Sequence, residues 1–246
     1  MIKKILWMFM AAVMITACQY SRKEEGSKDK GNENPETQVK KFFNEGRLVK
    51  EVSFKDDIRH GLSRNYYDDG RLKRTIWYEN GLKEDTAKWY YPGGRVYRAS
   101  PYSNDKLHGV QTKYYKTGRV QATIPYKHGL RTQGLKEYLP DGREVENYPE
   151  IDHTIRDMRE TDQGNIKIFT MLSNESTDVR FFKGSLNEDG TFDPAECTDI
   201  TTSSGMGFAQ VSPDNQKGKD YVDIIAVYLT RFRNKKLIIK RIELPK

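Results

Sequence analysis

The side chains best suited to acid–base, nucleophilic or metal chemistry in this sequence are its four histidines and two cysteines. His60, His108 and His128 each precede a glycine at equivalent positions of a repeat, so we expect them to lie several strands apart. His153 is isolated, and Cys197 has no histidine near it in sequence. The sequence also lacks paired carboxylates, a glycine-rich phosphate loop and any metal-ligand spacing. We therefore predict a non-catalytic protein without a metal or organic cofactor, in which Cys197 is a small buried or tolerated residue.

Cys18 is the residue whose surroundings point to a definite chemistry, which is acylation. Two lysines precede an apolar run over residues 5–15, and the small Ala17 lies directly before Cys18. A charged start, a short apolar segment and a small residue at the cleavage position are typical of a secretory signal peptide. The apolar run is shorter than the roughly 20 residues that a membrane-spanning helix needs. We therefore predict a lipoprotein signal peptide over residues 1–18.

The segment Ile15-Thr16-Ala17-Cys18 resembles the bacterial lipobox. This resemblance implies cleavage before Cys18 and attachment of acyl chains such as palmitate to the new terminal residue. The attachment is lasting because each buried methylene contributes about 0.8 kcal/mol. Residues 19–40 contain very few apolar side chains, which predicts a disordered tether. Because Lys23-Glu24-Glu25 resembles the surface-export signal of Bacteroidetes lipoproteins, we expect an outer-membrane lipoprotein that is exposed at the cell surface.

A 24-residue repeat fills the middle of the chain. Gly-Arg dipeptides begin at residues 46, 70, 94, 118 and 142, so every interval is 24. A pair of large residues, mostly aromatic, precedes each dipeptide with the same step, and its first member lies four residues before the glycine. The pairs are Phe42-Phe43, Tyr66-Tyr67, Tyr90-Tyr91, Tyr114-Tyr115 and Tyr138-Leu139.

The segments between these glycines predict β-hairpins. They are rich in β-branched and aromatic residues, and each is bounded by a turn in which glycine accepts a positive φ at little cost. Adjacent aromatics in a strand point to opposite faces, so each unit should contribute one ring to each side. We therefore predict an all-β chain in which residues 41–147 form an extended antiparallel sheet of 24-residue hairpins, stabilised by contacts between neighbouring units.

The 24-residue period stops after residue 147. Strand-like runs separated by Asn, Ser, Asp and Gly clusters follow it. About a hundred residues with five to seven strands suit a small β-sandwich, which we predict for residues 148–246. The segment from Ile151 to Met158 fits either a helix or a strand. The strand-like runs cover residues 165–172, 179–186, 206–211, 221–229 and 236–244.

Two of the units resemble the MORN-repeat variant of YwqK-type antitoxin-like proteins, in which G-x-x-x-G is followed by two aromatics, x-x-G, a basic residue and Leu or Val. The resemblance covers residues 41 to about 147. It implies a β-hairpin sheet that binds another macromolecule and performs no chemistry. The pattern is carried by Arg59-His60-Gly61-Leu62 with Tyr66-Tyr67-Asp68-Asp69-Gly70-Arg71-Leu72, and by Leu107-His108-Gly109-Val110 with Tyr114-Tyr115-Lys116-Thr117-Gly118-Arg119-Val120.

The positive charge of the chain is concentrated in the repeats. Residues 41–147 hold 21 Lys and Arg against 14 Asp and Glu, a net charge of +7, whereas residues 148–246 hold 14 against 16, a net charge of −2. Turn arginines two strands apart would form a ladder with a step of about 9.6 Å. Beside rows of aromatic rings, such a ladder is suited to hold an anionic polymer or sugars. The candidate binding residues are Arg47, Arg71, Arg95, Arg119, Arg143, Tyr66, Tyr90, Tyr114 and Tyr138.

The alternative is that these arginines are solvated turn residues and that the rings only pack the sheet. The composition and the repeat favour a membrane-anchored binding or scaffold protein whose partner is a protein or an anionic glycan. We expect no nucleic acid partner because the chain carries an export signal. Two other functions remain open, namely an immunity lipoprotein that neutralises a toxin and a passive structural element of the envelope.

Overall fold

The predicted hairpins are present in the computed structural model, which describes residues 37–161, 165–212 and 218–246. The predicted signal peptide, Cys18 and the tether up to residue 36 lie outside the described residues. Within the described ranges the chain forms nineteen strands and a single-turn 3₁₀ helix, Pro194–Glu196. The prediction of an all-β protein is therefore confirmed.

The strands are numbered along the chain. The repeats contain β1 (Gln38–Asn44), β2 (Arg47–Lys55), β3 (Ile58–Tyr66), β4 (Leu72–Glu79), β5 (Leu82–Tyr90), β6 (Val96–Ser103), β7 (Lys106–Leu107), β8 (Gly109–Tyr114), β9 (Val120–Lys127), β10 (Leu130–Thr132) and β11 (Lys136–Glu137). The C-terminal half contains β12 (Ile151–Asp157), β13 (Ile166–Leu172), β14 (Val179–Lys183), β15 (Thr191–Phe192), β16 (Thr198–Ser203), β17 (Met206–Val211), β18 (Tyr221–Leu229) and β19 (Lys235–Glu243). The five predicted strand-like runs thus coincide with β13, β14, β17, β18 and β19.

The first eleven strands and β15 form a twelve-stranded antiparallel sheet. Its order follows the chain from β1 to β6 and continues through β8, β9 and β10 to β15, while β7 pairs with β6 and β11 with β9. Because β1 begins at Gln38, residues 38–40 belong to this sheet and not to the tether to which the sequence assigned them. One face of the sheet carries a central buried row, which consists of Val52, Ser63, Ile76, Ala87, Ser100, Gln111 and Ile124.

Four of the five Gly-Arg turns are closed by the same pair of hydrogen bonds. In one unit the Tyr67 amide donates to the Arg71 carbonyl at 2.8 Å, and the Gly70 amide donates to the Tyr67 carbonyl at 2.9 Å. Gly70 has a φ of +81°, a left-handed conformation that a side chain would strain, and this explains the recurring glycine. The same pair of bonds recurs in the units that end in Gly94, Gly118 and Gly142.

The C-terminal half forms a seven-stranded sheet in the order β12-β13-β17-β16-β14-β18-β19. Strand β16 pairs with β14 through residues 198–200 and with β17 through residues 201–203, so the sheet changes direction within this strand. The two layers of the predicted sandwich are therefore halves of one curled sheet. Its halves enclose a core that contains Ile151, Ile166, Ile168, Leu172, Val179, Phe181, Ile200, Ala209, Val211, Val222, Ile224, Ala226 and Ile242.

The two sheets are joined, and the described residues belong to one compact unit. Strand β15 comes from the C-terminal half but pairs with β10, so it forms the last strand of the repeat sheet. Its Phe192 packs against Phe182, Ile225 and Leu237 of the curled sheet. The C-terminal half thereby covers the end of the repeat array, as terminal capping units do in repeat proteins.

A buried carboxylate completes this junction. Glu137 has no exposed surface and accepts hydrogen bonds from Thr230 Oγ1 at 2.7 Å and Asn234 Nδ2 at 2.6 Å. The Tyr148 hydroxyl donates to the same carboxylate at 3.0 Å. Lys113 Nζ donates to Asn234 Oδ1 at 2.5 Å, so a cation of the repeats lies at the edge of this network.

Candidate binding surface

The second aromatic of each pair fastens one repeat unit to the next. The Tyr67 hydroxyl donates to the Tyr90 carbonyl at 2.6 Å, and Tyr91 donates to the Tyr114 carbonyl at 2.8 Å. The Tyr115 hydroxyl repeats this contact on the Tyr138 carbonyl at 2.6 Å. These bonds recur with the period of the sequence, so the repeat encodes contacts between successive hairpins.

The first aromatic of a pair contacts the preceding unit instead. The Tyr66 hydroxyl donates to Glu51 Oε2 at 2.6 Å, and the Tyr90 hydroxyl lies 3.4 Å from Thr75 Oγ1. Partial burial, followed by the hydrogen bond and the negative charge of Glu51, raises the pKa of Tyr66 to about 12. Tyr66, Tyr90, Tyr114 and Tyr138 are all half-buried in the structure. Each of these four candidate residues therefore has a structural part in the sheet.

We use the name turn rim for the five Gly-Arg turns, residues 43–47, 67–71, 91–95, 115–119 and 139–143. Two of its arginines are paired within their own turn. Arg71 donates to Asp69 at 2.6 Å, and Arg143 lies 2.8 Å from the Asp141 carboxylate. The hydrogen bonds to the guanidinium groups hold the pKa of Asp69 and of Asp141 below the usual range. These two arginines are largely neutralised by acids two residues earlier in the chain.

Arg95 and Arg119 lack an acid two residues earlier and bind differently. Arg95 donates to the carbonyl groups of Lys116 and Thr117 at 3.1 and 2.9 Å. Arg119 donates to the Pro140 carbonyl at 2.9 Å. Both guanidinium groups thus link one turn to the next, while Arg47 is exposed in the first turn. The structure therefore places the predicted ladder along one rim but uses most of its cations for internal contacts.

A second series of cations crosses one face of the repeat sheet, where sequence reasoning proposed none. We call this series, together with the side chains between its cations, the basic row. Adjacent members are cross-strand partners on neighbouring strands, so their side chains share one face. The basic row consists of Phe42, Lys50, Asn65, Arg74, Trp89, Arg98 and Lys113 on β1, β2, β3, β4, β5, β6 and β8.

Among the described residues, no carboxylate lies within ion-pair distance of the four cations of the basic row. Lys50 lies 5.6 Å from the centroid of the Phe42 ring, and Arg74 donates to the Asn65 amide oxygen at 3.2 Å. The Arg98 guanidinium lies 4.0 Å from the Trp89 ring centroid. These partners of Lys50, Arg74 and Arg98 are all neutral, so no ion pair cancels the positive charge of these three residues.

Lys113, at the end of the basic row, lies in surroundings that disfavour its charged form. Burial and then the positive charges of Arg131 and Arg98 lower its pKa, whereas the charge of Glu137 opposes this shift. A group that is destabilised in its charged form by neighbouring cations is stabilised when an anion binds. The neighbourhood of Lys113 is therefore favourable for a negatively charged partner.

A cleft of about 480 Å³ lies along the first five members of the basic row. Phe42, Lys50, Asn65, Arg74 and Trp89 line it, and Tyr66 of the predicted ladder also contributes. Aromatic surface, three cations, an amide and one carboxylate are thus collected in one depression, because Lys73 and Asp68 also line it. Of the nine residues predicted for binding in the repeats, Tyr66 is the one that lines this cleft.

The basic row also has a periodic signal in the sequence, which is separate from the Gly-Arg dipeptides. Lys50, Arg74 and Arg98 each lie four residues after a turn glycine and share its 24-residue step. Asn65, Trp89, Lys113 and Glu137 form a second series with the same step. The two series merge into one row only when the strand register is known, since register decides which residues share a face.

The histidine prediction is wrong in one respect. His108 and His128 do not lie several strands apart, because their ring centroids are 4.8 Å from each other. The Gly129 amide donates to the Leu107 carbonyl, which brings these two glycine-containing turns together. The equivalent Gly81 amide donates to the Arg59 carbonyl, and there Asn80 stands where the later unit has His128.

Cys197 is half-buried and lies beside a positive-φ glycine, Gly184. Burial, followed by the negative charges of Asp193 and Glu196, raises the pKa of the thiol. A raised pKa lowers the fraction of reactive thiolate. This geometry favours the interpretation of Cys197 as an unreactive residue.

Comparison with known proteins gives one partial match. Residues 107–128 match the family described as MORN repeat variant, which supports the presence of a MORN repeat and suggests a binding or scaffold role. No curated protein and no solved structure matches the chain. In the part of the chain that the structure describes, no helix is long and apolar enough to cross a membrane. Over the same ranges, no group of three or more His, Cys, Asp or Glu side chains could hold a metal ion.

Proposed function

We propose that this chain is a membrane-anchored, non-catalytic lipoprotein whose repeat sheet binds an elongated anionic partner along the basic row. The observation that carries the proposal is the alignment of Lys50, Arg74, Arg98 and Lys113 in one register without a carboxylate partner among the described residues. With strands about 4.8 Å apart, the row from Lys50 to Lys113 extends over roughly 24 Å. A partner of this length contacts all four cations at once.

The burial of the cations supports the basic row over the turn rim as the binding surface. Half-buried cations are screened by salt less than exposed ones, so they attract an anion more strongly at physiological ionic strength. The cations of the basic row are half-buried, whereas the arginines of the turn rim are exposed. The row therefore attracts an anion more strongly than the rim for the same number of charges.

The test compares two triple variants that remove the same charge. Lys50→Gln/Arg74→Gln/Arg98→Gln changes the basic row, and Arg71→Gln/Arg95→Gln/Arg119→Gln changes the turn rim. We expect the row variant to lose at least tenfold in affinity for heparin, a model polyanion, which corresponds to about 1.4 kcal/mol. The rim variant should bind within about twofold of the wild type, since its arginines already have internal partners.

Heparin affinity is measured by titration at several salt concentrations, and circular dichroism checks that both variants fold. Loss of binding in the rim variant alone would move the site to the turn rim. Wild-type affinity in both variants would overturn the proposal that the repeats bind anions.

The anchor is tested separately. Cys18→Ala removes the thiol that the lipobox resemblance assigns to acylation, so it should abolish palmitate labelling and partitioning into detergent. Membrane fractionation tests the outer-membrane location, and protease access in intact cells tests the exposure at the cell surface. Unchanged detergent partitioning of Cys18→Ala would refute the lipid anchor.

A second candidate function is the neutralisation of a protein toxin by the repeat surface, which rests on the resemblance of the repeats to YwqK-type antitoxin-like proteins. The soluble form that begins at Gln19 serves as bait in a pull-down from envelope extract. Recovery of a stoichiometric protein whose binding survives the basic-row triple variant would support this function over anion binding.

A further inference from the structure

We infer that the cleft of the basic row is a subsite for an acidic polysaccharide in which carboxylated and neutral sugars alternate. This inference rests on the proposed function and specifies its partner. The cleft combines the three kinds of group that recognise such a polymer. Flat aromatic surfaces are supplied by Phe42 and Trp89, and a neutral amide by Asn65. Lys50, Lys73 and Arg74 supply three cations against the single carboxylate of Asp68, so the lining keeps a positive excess.

The order of these groups along the cleft is the first argument. Lys50, Arg74 and Arg98 lie on alternate strands, so successive cations are about 9.6 Å apart. Asn65 lies between the first two cations and Trp89 between the second two. A neutral side chain therefore separates each cation from the next over this part of the row.

The spacing matches a polysaccharide better than a peptide. One strand interval of about 4.8 Å is close to the length of one sugar ring in an extended polymer, so two intervals correspond to a disaccharide. In an extended acidic peptide, side chains on one face recur about every 6.6 Å, because each residue advances about 3.3 Å. The spacing of about 9.6 Å between successive cations of the basic row thus matches a polymer with a carboxylate on every second sugar.

The chemistry of the individual positions is the second argument. The planar guanidinium of Arg74 can bind a carboxylate with two hydrogen bonds, and its present contact with the Asn65 amide orients it. The indole of Trp89 is half-buried, with the Arg98 guanidinium 4.0 Å from its ring centroid, and its remaining exposed part lines the cleft, where it can contact a neutral sugar ring. The Asn65 amide can both donate and accept, as sugar hydroxyls require.

Exposure of the aromatic groups is the third argument. The Phe42 side chain is 44% exposed although it belongs to an ordered strand. Phe42 lines the end of the cleft, so part of its ring is open to a ligand that lies there. Its stacking on a sugar ring would cover this surface.

The experiment compares three polymers on the full folded chain by calorimetric titration. The probes are unsulfated chondroitin, which alternates charged and neutral sugars, poly-glutamate as an acidic peptide, and dextran as an uncharged glycan. At equal carboxylate concentration and equal ionic strength, we expect chondroitin to bind at least tenfold more tightly than poly-glutamate. Dextran should not bind, since it offers no charge to the cations.

Variants of Trp89 test the stacking contact. Trp89→Leu keeps much of the volume but removes the flat ring, so chondroitin affinity should fall at least fivefold while poly-glutamate affinity stays constant. Trp89→Phe restores a ring and should recover most of the affinity for chondroitin. Trp77→Leu is the matched control, because Trp77 lies on β4 at a position that alternates to the opposite face. Its chondroitin affinity should remain that of the wild type.

Trp89 packs against the buried cluster of Ile76, Tyr78 and Ala87, so Trp89→Leu can fail to fold. Phe42→Leu then replaces it, because Phe42 is exposed at the other end of the same cleft and should also lower chondroitin affinity severalfold. Equal binding of chondroitin and poly-glutamate, unaffected by either substitution, would overturn the polysaccharide subsite and leave the anion-binding row standing. Failure of every anionic polymer to bind would overturn the proposed function itself.

Discussion

The turn rim and the basic row carry cations with the same 24-residue period but use them in different ways. On the rim, Arg71 is paired with Asp69, two residues earlier in its own turn. In the row, Arg74 contacts an amide and Arg98 an indole. A periodic cation in the sequence therefore indicates a binding surface only where the fold leaves it without an acidic neighbour.

The difference arises from the distance along the chain at which each partner is found. In a turn, an aspartate two residues before the arginine is within reach whatever the rest of the fold does. On the sheet face, the neighbours of Arg98 are set by cross-strand register and come from 9 and 15 residues away. Sequence motifs thus describe the turn rim well, whereas the surroundings of the basic row depend on pairing between strands.

The largest expected effect lies where the basic row meets the C-terminal sheet. Glu137→Leu should lower the free energy of unfolding by about 3 to 5 kcal/mol, because it removes the acceptor of Thr230 and Asn234 and leaves buried polar groups unpaired. Urea denaturation measures the change. The control is Glu144→Leu, an exposed partner of Lys136 that should cost about 0 to 1 kcal/mol. Equal losses in the two variants would show that the buried network does not hold the junction.

The fold of the repeats could be predicted because local signals agree there. Turn glycines with positive φ, aromatic pairs and β-branched residues recur at one step, and each hairpin pairs mainly with its neighbours in sequence. The junction could not be predicted in this way. Glu137 bonds to Asn234 across 97 residues, and β15 leaves its own half to pair with β10. No local pattern records such a long-range contact.

The candidate site that the structure offers differs from the one proposed from the sequence, although both are basic surfaces of the repeats. The concentration of positive charge in residues 41–147 favoured an anionic partner, and the regular Gly-Arg dipeptides placed the predicted site at the turns. Lys50, Arg74 and Arg98, four positions after three of the turn glycines, carry the same period, but their alignment with Asn65 and Trp89 requires the register of five strands. The contact of His108 with His128 was missed for the same reason, since it joins adjacent turns at one edge of the sheet.

The next effect in size tests the structural character of the turn rim. Tyr91→Phe removes the hydroxyl that binds the Tyr114 carbonyl, so it should cost about 1 kcal/mol of folding stability and leave heparin affinity unchanged. Thermal unfolding and titration measure the two quantities. Tyr97→Phe is a matched control, because its ring lies 5.3 Å from that of Tyr91 but its hydroxyl makes no hydrogen bond with the described residues. A fall in heparin affinity with Tyr91→Phe would show that the rim takes part in binding.

A smaller effect concerns Tyr66, which belongs to the predicted ladder and also lines the cleft. Its pKa of about 12 should be visible as a late step in the ultraviolet titration of the phenol. The neutral phenol favoured in the folded state stabilises the fold below pH 10, and this contribution is lost as the pH rises through about 12. Glu51→Gln removes the negative charge and should move the pKa of Tyr66 toward 10. A step that stays at the same pH in Glu51→Gln would mean that burial alone determines it.

The smallest expected effect is that of Arg71→Gln on the turn rim. Because the guanidinium holds the pKa of Asp69 below its usual range, the ionised carboxylate stabilises the fold above its unfolded pKa and loses this contribution as the pH falls through the folded value. Arg71→Gln should therefore lower the melting temperature only slightly at pH 7. In strong acid, where Asp69 is protonated, the wild type and the variant should melt at the same temperature. Carboxyl resonances should show the pKa of Asp69 rising toward its usual value in Arg71→Gln but not in Arg95→Gln, with the backbone amide of residue 71 still lowering it in part. An unchanged titration of Asp69 in Arg71→Gln would mean that the arginine is unpaired in solution, and the turn rim would then compete with the basic row for an anionic partner.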